Sequence, residues 1–389
     1  TKDRLSGYVG DYHGKSINEL FEAQVDRTPN DIALIYNNNC LTYQELNEKA
    51  NQIAHHLKDI GIGPEKIVTI LLDRTPEFLI CMLAIFKAGA AYVALNPETP
   101  PERNKNILNK TESAWVFTRE EYKVCLAGLE HVTRILDTKE ILTQNYSKNN
   151  LCLKIAPDSL AYLFFTSGST GEPKGAMIEH EGMINHIMAK INNLNMSNQD
   201  ITAQTSVQTF DVSLWQFVCS LLVGGKVVIF PGESAWEPRA LLDLMKKEKV
   251  TIFETVPTHM NVILDEIEST RRHHLASLNW LILNGEAIPN KIYNRWLKAY
   301  PTITMITTYG ATECSDDISH YKLPKMVHPE EGFLSISGLL DNLTIYILDE
   351  YLSPVSIGTI GEIYIGGIGV GRGYLKEPER TKKAFLVDP

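Results

Sequence analysis

The stretch Tyr162-Leu-Phe-Phe-Thr-Ser-Gly-Ser-Thr-Gly-Glu-Pro-Lys-Gly175 decides how the rest of the chain is read. The apolar run Leu160 to Phe165 predicts a buried strand. It leads straight into four hydroxyl side chains (Thr166, Ser167, Ser169, Thr170), two glycines (Gly168, Gly171) and then Lys174. Hydroxyls and freed backbone N–H groups in such a loop can wrap an anionic phosphate chain, and a lysine adds a point charge. The loop is not a Walker A sequence. Counting from Gly168, that pattern needs Gly at 173 and Ser or Thr at 175, where this chain has Pro173 and Gly175. The plain alternative is a Gly- and Ser-rich hairpin. Its order after a buried strand favours the phosphate reading.

Outward from this loop the chain alternates strands and helices. Ser16-Ile-Asn-Glu19 has the spacing of a capping box and predicts a helix start. Ile32 to Tyr36 and Cys40 to Tyr43 read as paired strands around Asn37 to Asn39. Leu46, Ala50, Ile53, Ala54 and Leu57 repeat at helical spacing. Ile67 to Leu72, Ala90 to Leu95, Lys226 to Phe230, Thr251 to Phe253, Trp280 to Leu283 and Thr302 to Ile306 are apolar, strand-length runs separated by helical stretches. That pattern predicts parallel sheets buried on both faces. After about residue 330 short strands and Gly-rich turns take over. The expected fold class is therefore α/β: two packed α/β subdomains with mostly parallel sheets over residues 1–330, the binding site between them, and a small β-barrel-like subdomain over residues 331–389.

Composition excludes several classes. With 389 residues, 44% apolar and 22% charged, the chain is neither disordered, collagen-like nor a coiled coil. A net charge of −10 speaks against a broad nucleic-acid surface. The most apolar run, Phe78 to Val93, is broken by Lys87 and Gly89 and falls short of the ~18–20 residues of a membrane helix. No nucleic acid and no membrane are expected as partners. Six cysteines without a C-x-x-C pair read as buried reduced thiols and a cytoplasmic protein. The chain starts at Thr1 and stops at Pro389 without a cap or tail, so an excised piece of a longer protein is expected.

A second motif is Tyr309-Gly-Ala-Thr-Glu313, after the strand Thr302 to Ile306. At the carboxyl end of a parallel strand, Tyr309 is placed to stack on a base and Glu313 to hold Mg²⁺. Asn284-Gly-Glu-Ala287 follows another strand, and Phe210-Asp-Val-Ser213 reads as a helix start with Asp211 as N-cap. Each alone is an ordinary turn.

Together, in this order, they resemble the adenylate-forming enzymes, and more narrowly the amino-acid-activating adenylation domains of nonribosomal peptide synthetases. The resemblance runs from Leu20 to Pro389. It includes Leu41-Thr-Tyr-Gln-Glu-Leu46, Leu83 to Val93, Thr166 to Gly175, Phe210 to Ser213, Tyr309 to Glu313, Gly361 to Gly367 and Gly371-Arg-Gly-Tyr374. Ala311 stands where the family usually has Pro, and Thr307 where many members have Asn. Altered fine geometry is expected there rather than lost binding.

The resemblance implies an ATP-dependent ligase that forms aminoacyl-AMP and pyrophosphate with Mg²⁺. It implies that Thr166, Ser167, Gly168, Ser169, Thr170, Gly171 and Lys174 cradle phosphates. Lys174, Thr166 and Glu313 would be the catalytic groups, with Glu313 the metal ligand. Gly285, Glu286, Ala287, Thr308, Tyr309, Gly310 and Thr312 would hold the nucleotide. Asp211 would pair with the substrate ammonium. The side-chain pocket would comprise Asp211, Val212, Trp215, Glu254, Ile282, Asn284, Thr308, Asp316 and Asp317. Three carboxylates beyond Asp211 are costly together unless a cation compensates. A basic substrate (ornithine, diaminobutyrate, lysine or arginine) is therefore expected. The alternative for Asp316 and Asp317 is a helix-capping role, facing away from the pocket. An acyl- or aryl-CoA synthetase of the same superfamily is the alternative function, and a non-catalytic nucleotide-binding protein a further one. The family's partners would be a peptidyl carrier domain with a phosphopantetheine arm and a condensation domain. Its hinge and C-terminal lid, with a catalytic lysine, lie outside this sequence. A chain that binds substrates but adenylates weakly is expected.

Overall fold

The computed structural model describes residues 5–6, 14–129, 134–167, 172–270, 275–327 and 329–387. The strands are β1 (Leu5–Ser6), β2 (Ile32–Tyr36), β3 (Asn39–Thr42), β4 (Ile67–Leu71), β5 (Ala91–Leu95) and β6 (Trp115–Thr118). Then come β7 (Arg134–Leu136), β8 (Leu160–Ser167), β9 (Pro173–Glu179), β10 (Ile201–Gln204), β11 (Lys226–Ile229) and β12 (Ile252–Thr255). The last six are β13 (Trp280–Leu283), β14 (Thr304–Ala311), β15 (Asp316–Lys322), β16 (Leu343–Leu348), β17 (Glu362–Gly367) and β18 (Gly373–Tyr374). The α-helices are α1 (Ile17–Arg27), α2 (Tyr43–Asp59), α3 (Pro76–Lys87), α4 (Pro101–Thr111), α5 (Thr138–Thr143) and α6 (His180–Asn193). They continue with α7 (Val212–Leu222), α8 (Pro238–Lys247), α9 (Pro257–Thr270), α10 (Asn290–Ala299) and α11 (Pro378–Ala384).

Local chemistry starts the helices where the sequence indicates. Ser16 and Thr42 each form a complete capping box, with Glu19 and Glu45 returning a carboxylate to the cap N–H. Such caps contribute about 1 kcal/mol each. In the apolar run Phe78 to Val93, α3 ends at Lys87 and β5 follows. Lys87 is buried, paired with Glu22 and placed 5.9 Å over the Phe21 ring. Among the described residues no helix is long and apolar enough to cross a membrane.

Two large sheets form. One has the order β15-β14-β13-β12-β10-β11-β2-β3, the other β18-β9-β8-β5-β4-β6-β7. Pairing is parallel inside both and antiparallel only toward their ends, at β14–β15, β2–β3, β8–β9 and β9–β18. Side chains alternate between two cores, as strand pleating requires. Ile282 joins the core that also holds α1, α2, α3, α6 and α7, whereas Leu281 and Leu283 join the core under α8, α9 and α10. On the second sheet Ile70 faces the shared helices, and Leu71 packs with Ile107 and Leu108 of α4. The result is five layers, helix–sheet–helix–sheet–helix, with one helical layer shared by both sheets.

Where a barrel-like unit was expected, the described residues form a three-stranded antiparallel sheet, β1-β16-β17. The expected segment 331–389 does not stay apart. Its strand β18 leaves the small sheet and pairs with β9. The cysteines also differ from expectation: Cys81, Cys125, Cys219 and Cys314 are buried, but Cys40 and Cys152 are exposed.

Candidate active site

The glycine-rich stretch separates β8 from β9. β8 and β9 pair in antiparallel register, with Thr166 opposite Lys174 and Ser167 opposite Pro173. Gly168, Ser169, Thr170 and Gly171 lie outside the described residues. The Thr166 hydroxyl is buried and has no hydrogen-bond partner among the described residues. Lys174 Nζ lies 2.6 Å from Glu313 Oε1 and donates to the Tyr374 hydroxyl at 2.8 Å. The same hydroxyl donates to Glu313 Oε1 at 2.7 Å. Register explains the meeting, since Tyr374 pairs with Ala176, two residues beyond Lys174 on β9. Burial raises the Glu313 carboxyl, but the bonds from Lys174 and Tyr374 outweigh it and hold the group below its usual range. Burial pushes Lys174 down, and the same two partners more than reverse that. An ionised, part-exposed carboxylate and an unpartnered hydroxyl are donor types that suit a hard divalent cation.

The second motif differs from its expected position. Thr307 to Ala311 were expected beyond the strand, yet β14 runs through to Ala311. Tyr309 and Gly310 are exposed at its end, and Gly285, Glu286 and Ala287 are exposed just past β13. Gly285 has φ +76°, the left-handed region that favours glycine. Glu286 accepts from the Thr258 N–H at 3.1 Å and from its hydroxyl at 2.5 Å, so it anchors this edge to α9. Thr312 donates at 2.5 Å to Asp211 Oδ2. Asp211 Oδ1 accepts from the Val212 N–H at 2.9 Å, at the N-terminus of α7. Burial raises the Asp211 carboxyl, and these bonds pull against that rise.

Strand register builds the remaining wall. Glu254, Ile282 and Ile306 are consecutive partners across β12, β13 and β14. Thr308, two residues beyond Ile306 and on the same face, pairs with His320 of β15. Asn284 is buried just past β13, and Trp215 is fully buried one turn into α7. Asp316 and Asp317 are buried at the start of β15 and do not cap a helix. Ser315 and Asp316 take φ +64° and +83°, which turns the chain back along β14.

The structure adds residues that sequence reasoning missed. Lys190 of α6 is buried, and its Nζ is 2.5 Å from Asp317 Oδ2. It also lies 4.6 Å from the Trp215 ring centre. His186 Nε2 and His320 Nε2 approach the same carboxylate oxygen at 3.3 and 3.1 Å. Asn193 reaches the other His320 nitrogen at 3.0 Å. His186, Asp317 and His320 have the spacing of a metal site, but the Lys190 ammonium already sits on their shared oxygen. Burial opposes ionisation of Asp317, yet Lys190 and the two histidines hold its carboxyl well below the usual range.

Its neighbours fare differently. Among the described residues, both Glu254 oxygens, Asp316 Oδ2, the Thr308 hydroxyl and the Trp215 indole N–H are buried without hydrogen-bond partners. An orphaned buried polar group costs about 1–3 kcal/mol. Burial pushes Glu254 up to about 7 against the pull of Lys190 and of the Trp215 indole N–H, which points its dipole at the carboxyl without closing a hydrogen bond of normal geometry. Burial, then repulsion from Asp317 and Asp211, drives Asp316 well above its usual value. A cavity of about 740 Å³ opens at the opposite ends of these strands, by Asp200, Trp280 and Lys322, and none of the candidate site residues lines it.

The profile of AMP-binding enzymes matches residues 21–375. The chain belongs to this family. Tyrocidine synthase 3 of Brevibacillus parabrevis is 34% identical over 377 residues, covering 96% of this chain and 6% of that protein. Zwittermicin A synthase ZmaJ of Bacillus cereus is 34% identical, covering 95% of this chain and 71% of its own length. The chain thus spans a small fraction of several multidomain relatives and most of ZmaJ. Among solved structures, the AMPPNP-bound nonribosomal peptide synthetase FmoA3 (S1046A) superposes with a TM-score of 0.92 at 26% identity, covering 98% of this chain and 40% of that one. The Klebsiella oxytoca NpsA N-terminal subdomain, in complex with 3-hydroxybenzoyl-AMSN, shares the fold with a TM-score of 0.83 at 23% identity, covering 96% and 93%. The family is one of ATP-dependent, AMP-forming ligases.

Proposed function

We propose that this chain activates an amino acid with ATP, forming aminoacyl-AMP and pyrophosphate, and that the substrate side chain is cationic: ornithine, diaminobutyrate, lysine or arginine. One observation carries the substrate class. Among the described residues, both oxygens of Glu254 and Oδ2 of Asp316 are buried without a hydrogen-bond partner. Such groups call for a ligand that brings donors and positive charge. Asp317 no longer argues for it, because Lys190 compensates its charge. The pocket therefore offers one net negative charge, centred on Glu254, with Asp316 beside it.

In this reading the substrate ammonium pairs with Asp211, whose carboxylate Thr312 and the α7 N-terminus hold in place. Its carboxylate attacks the α-phosphate, the bond to pyrophosphate breaks, and negative charge accumulates on the leaving group. Lys174 exchanges Glu313 for that leaving group and offsets the charge. Glu313 and Thr166 are the side chains that would hold Mg²⁺, which when bound neutralises phosphate charge. The phosphopantetheine thiol of a carrier domain would take the aminoacyl group as a thioester, releasing AMP, and a condensation domain would use that thioester.

ATP–pyrophosphate exchange across a panel of amino acids tests the substrate class. Ornithine, diaminobutyrate, lysine or arginine is expected to give the strongest exchange. Stronger exchange with leucine, phenylalanine or an aryl acid overturns it. Glu254→Gln is expected to weaken binding of the basic substrate about thirtyfold or more, since losing one partner of a buried charge pair costs about 2–5 kcal/mol. In the unaltered chain, binding of that substrate strengthens as pH rises through about 7, because Glu254 must lose its proton to accept a cation.

A further inference from the structure

We propose that Lys190 is a positioning residue for substrate specificity: from α6 it supplies the internal cation around which Glu254, Asp316 and Asp317 are arranged, and so sets the charge the pocket presents to a substrate side chain. The proposal rests on the reading that this pocket takes the substrate side chain. Its geometric basis is independent of which amino acid that is.

Lys190 lies on a helix face that is otherwise core, beside Ile187 and Ile191. A buried ammonium there is tolerated only with a close counter-charge. Asp317 Oδ2 provides it at 2.5 Å, and the Trp215 ring faces the ammonium at 4.6 Å. Trp215 and Asp317 thus hold the cation at one fixed point behind the pocket wall.

The groups around it come from five elements. They are His186 on α6, Glu254 on β12, Asp316, Asp317 and His320 on β15, Asp211 and Cys219 at and within α7, and Tyr162 on β8. The two histidines are not the compensating cations. Burial and the nearby Lys190 push His320 down to about 4, and burial lowers His186. Cys219 and Tyr162 are pushed up by burial and stay neutral. Lys190 is then the permanent positive charge among four carboxyls. It satisfies Asp317 and draws Glu254 toward its ionised form, while Asp317 pushes Glu254 the other way. The sequence-level inference that three carboxylates must await a substrate cation overlooked this built-in one.

The test reads Glu254 directly. Protein labelled with ¹³C-carboxyl glutamate is titrated by infrared spectroscopy, and the Glu254 band is the one absent from Glu254→Gln. Lys190→Met is expected to raise the Glu254 midpoint by about one pH unit or more, and Asp317→Asn to lower it, following the sign of each charge. Lys190→Met placed in the Asp317→Asn background leaves no stranded carboxylate, so it reads Lys190 even where the single Met variant fails to fold. There the midpoint is expected to rise again. A midpoint that stays put when Lys190 is replaced in either background overturns the proposal.

Binding of ornithyl and norvalyl sulfamoyl-adenosine, measured by calorimetry at pH 7, separates the two readings. Lys190→Met is expected to reduce the preference for the ornithyl compound about tenfold, and Lys190→Arg to retain it. Midpoints that move as expected in a chain without ornithyl preference uphold Lys190 and overturn the basic-substrate reading instead.

Discussion

At the scale of single residues, buried charge explains both the site and its acid sensitivity. Asp211 is the clearest test of the amino-acid end. Asp211→Asn keeps the shape of the α7 cap but removes the counter-charge for an ammonium. Amino-acid binding is expected to fall at least about thirtyfold while binding of AMP changes little, as calorimetry would show. His180 reports on acid stability. It is buried against Phe86, neither ring nitrogen has a partner, and burial pushes it down to about 4. The unfolded imidazole titrates near 6.5. Holding the folded ring neutral therefore favours the native state fully above about 6.5, and that advantage disappears as pH falls toward 4. His180→Leu is expected to remove up to about 3 kcal/mol of this loss, seen as a shallower fall of the urea midpoint between those pH values.

The residues named from motif order, Asp211, Lys174, Glu313, Glu254 and Asp316, do gather at one end of the sheets. Lys190, His186 and His320 escaped because motif reading looks at loops and strand ends. A signal was present. Met183, His186, Ile187, Lys190 and Ile191 share one helical face, so a lysine and a histidine one turn apart interrupt an apolar stripe.

At the scale of elements, the β14–β15 pair shapes the pocket. Its turn was not legible because two non-glycine residues, Ser315 and Asp316, take left-handed conformations, and no glycine or proline marks the bend. β9 escaped as well, since Pro173 and Lys174 resemble loop more than strand. The parallel centre of each sheet was legible because its strands are continuous apolar runs between helices. Gly310 tests the pair. A Cβ there would collide with the backbone carbonyl of Asp316. Gly310→Ala must push β15 away from β14, and overpacking of this kind costs about 3 kcal/mol. Both nucleotide and amino-acid binding are expected to fail together, together with a lower denaturant midpoint.

At the scale of the whole molecule, the two sheets meet through a shared helical layer and a few polar clasps. Arg74 follows β4 of one sheet and donates to the carbonyls of Thr205, Phe230 and Gly232, which follow β10 and β11 of the other. Gln208 adds a bond of 2.7 Å to the Leu72 carbonyl. Arg74→Met strands those carbonyls and is expected to cost about 3 kcal/mol, with an unchanged denaturant slope in a cooperative transition. The short strands of the small sheet, Leu343 to Leu348 and the run after Gly361, were legible as apolar stretches among Gly-rich turns. That β18 would cross back to the larger sheet depends on a long-range pairing that no local spacing encodes.

That crossing strand has one more consequence. With Gly373 and Tyr374 in place, β9 is not the last strand of the sheet, and Ala176 and Met177 in its middle are paired on their outer side. A chain shortened to end before Gly373 would uncover Ala176 and Met177 in the middle of β9 and leave Pro173–Glu179 as the bare margin of the sheet. Such a margin is a template for pairing with other copies. The short strand that brings Tyr374 to Lys174 thus also narrows the stretch of β9 open to such pairing.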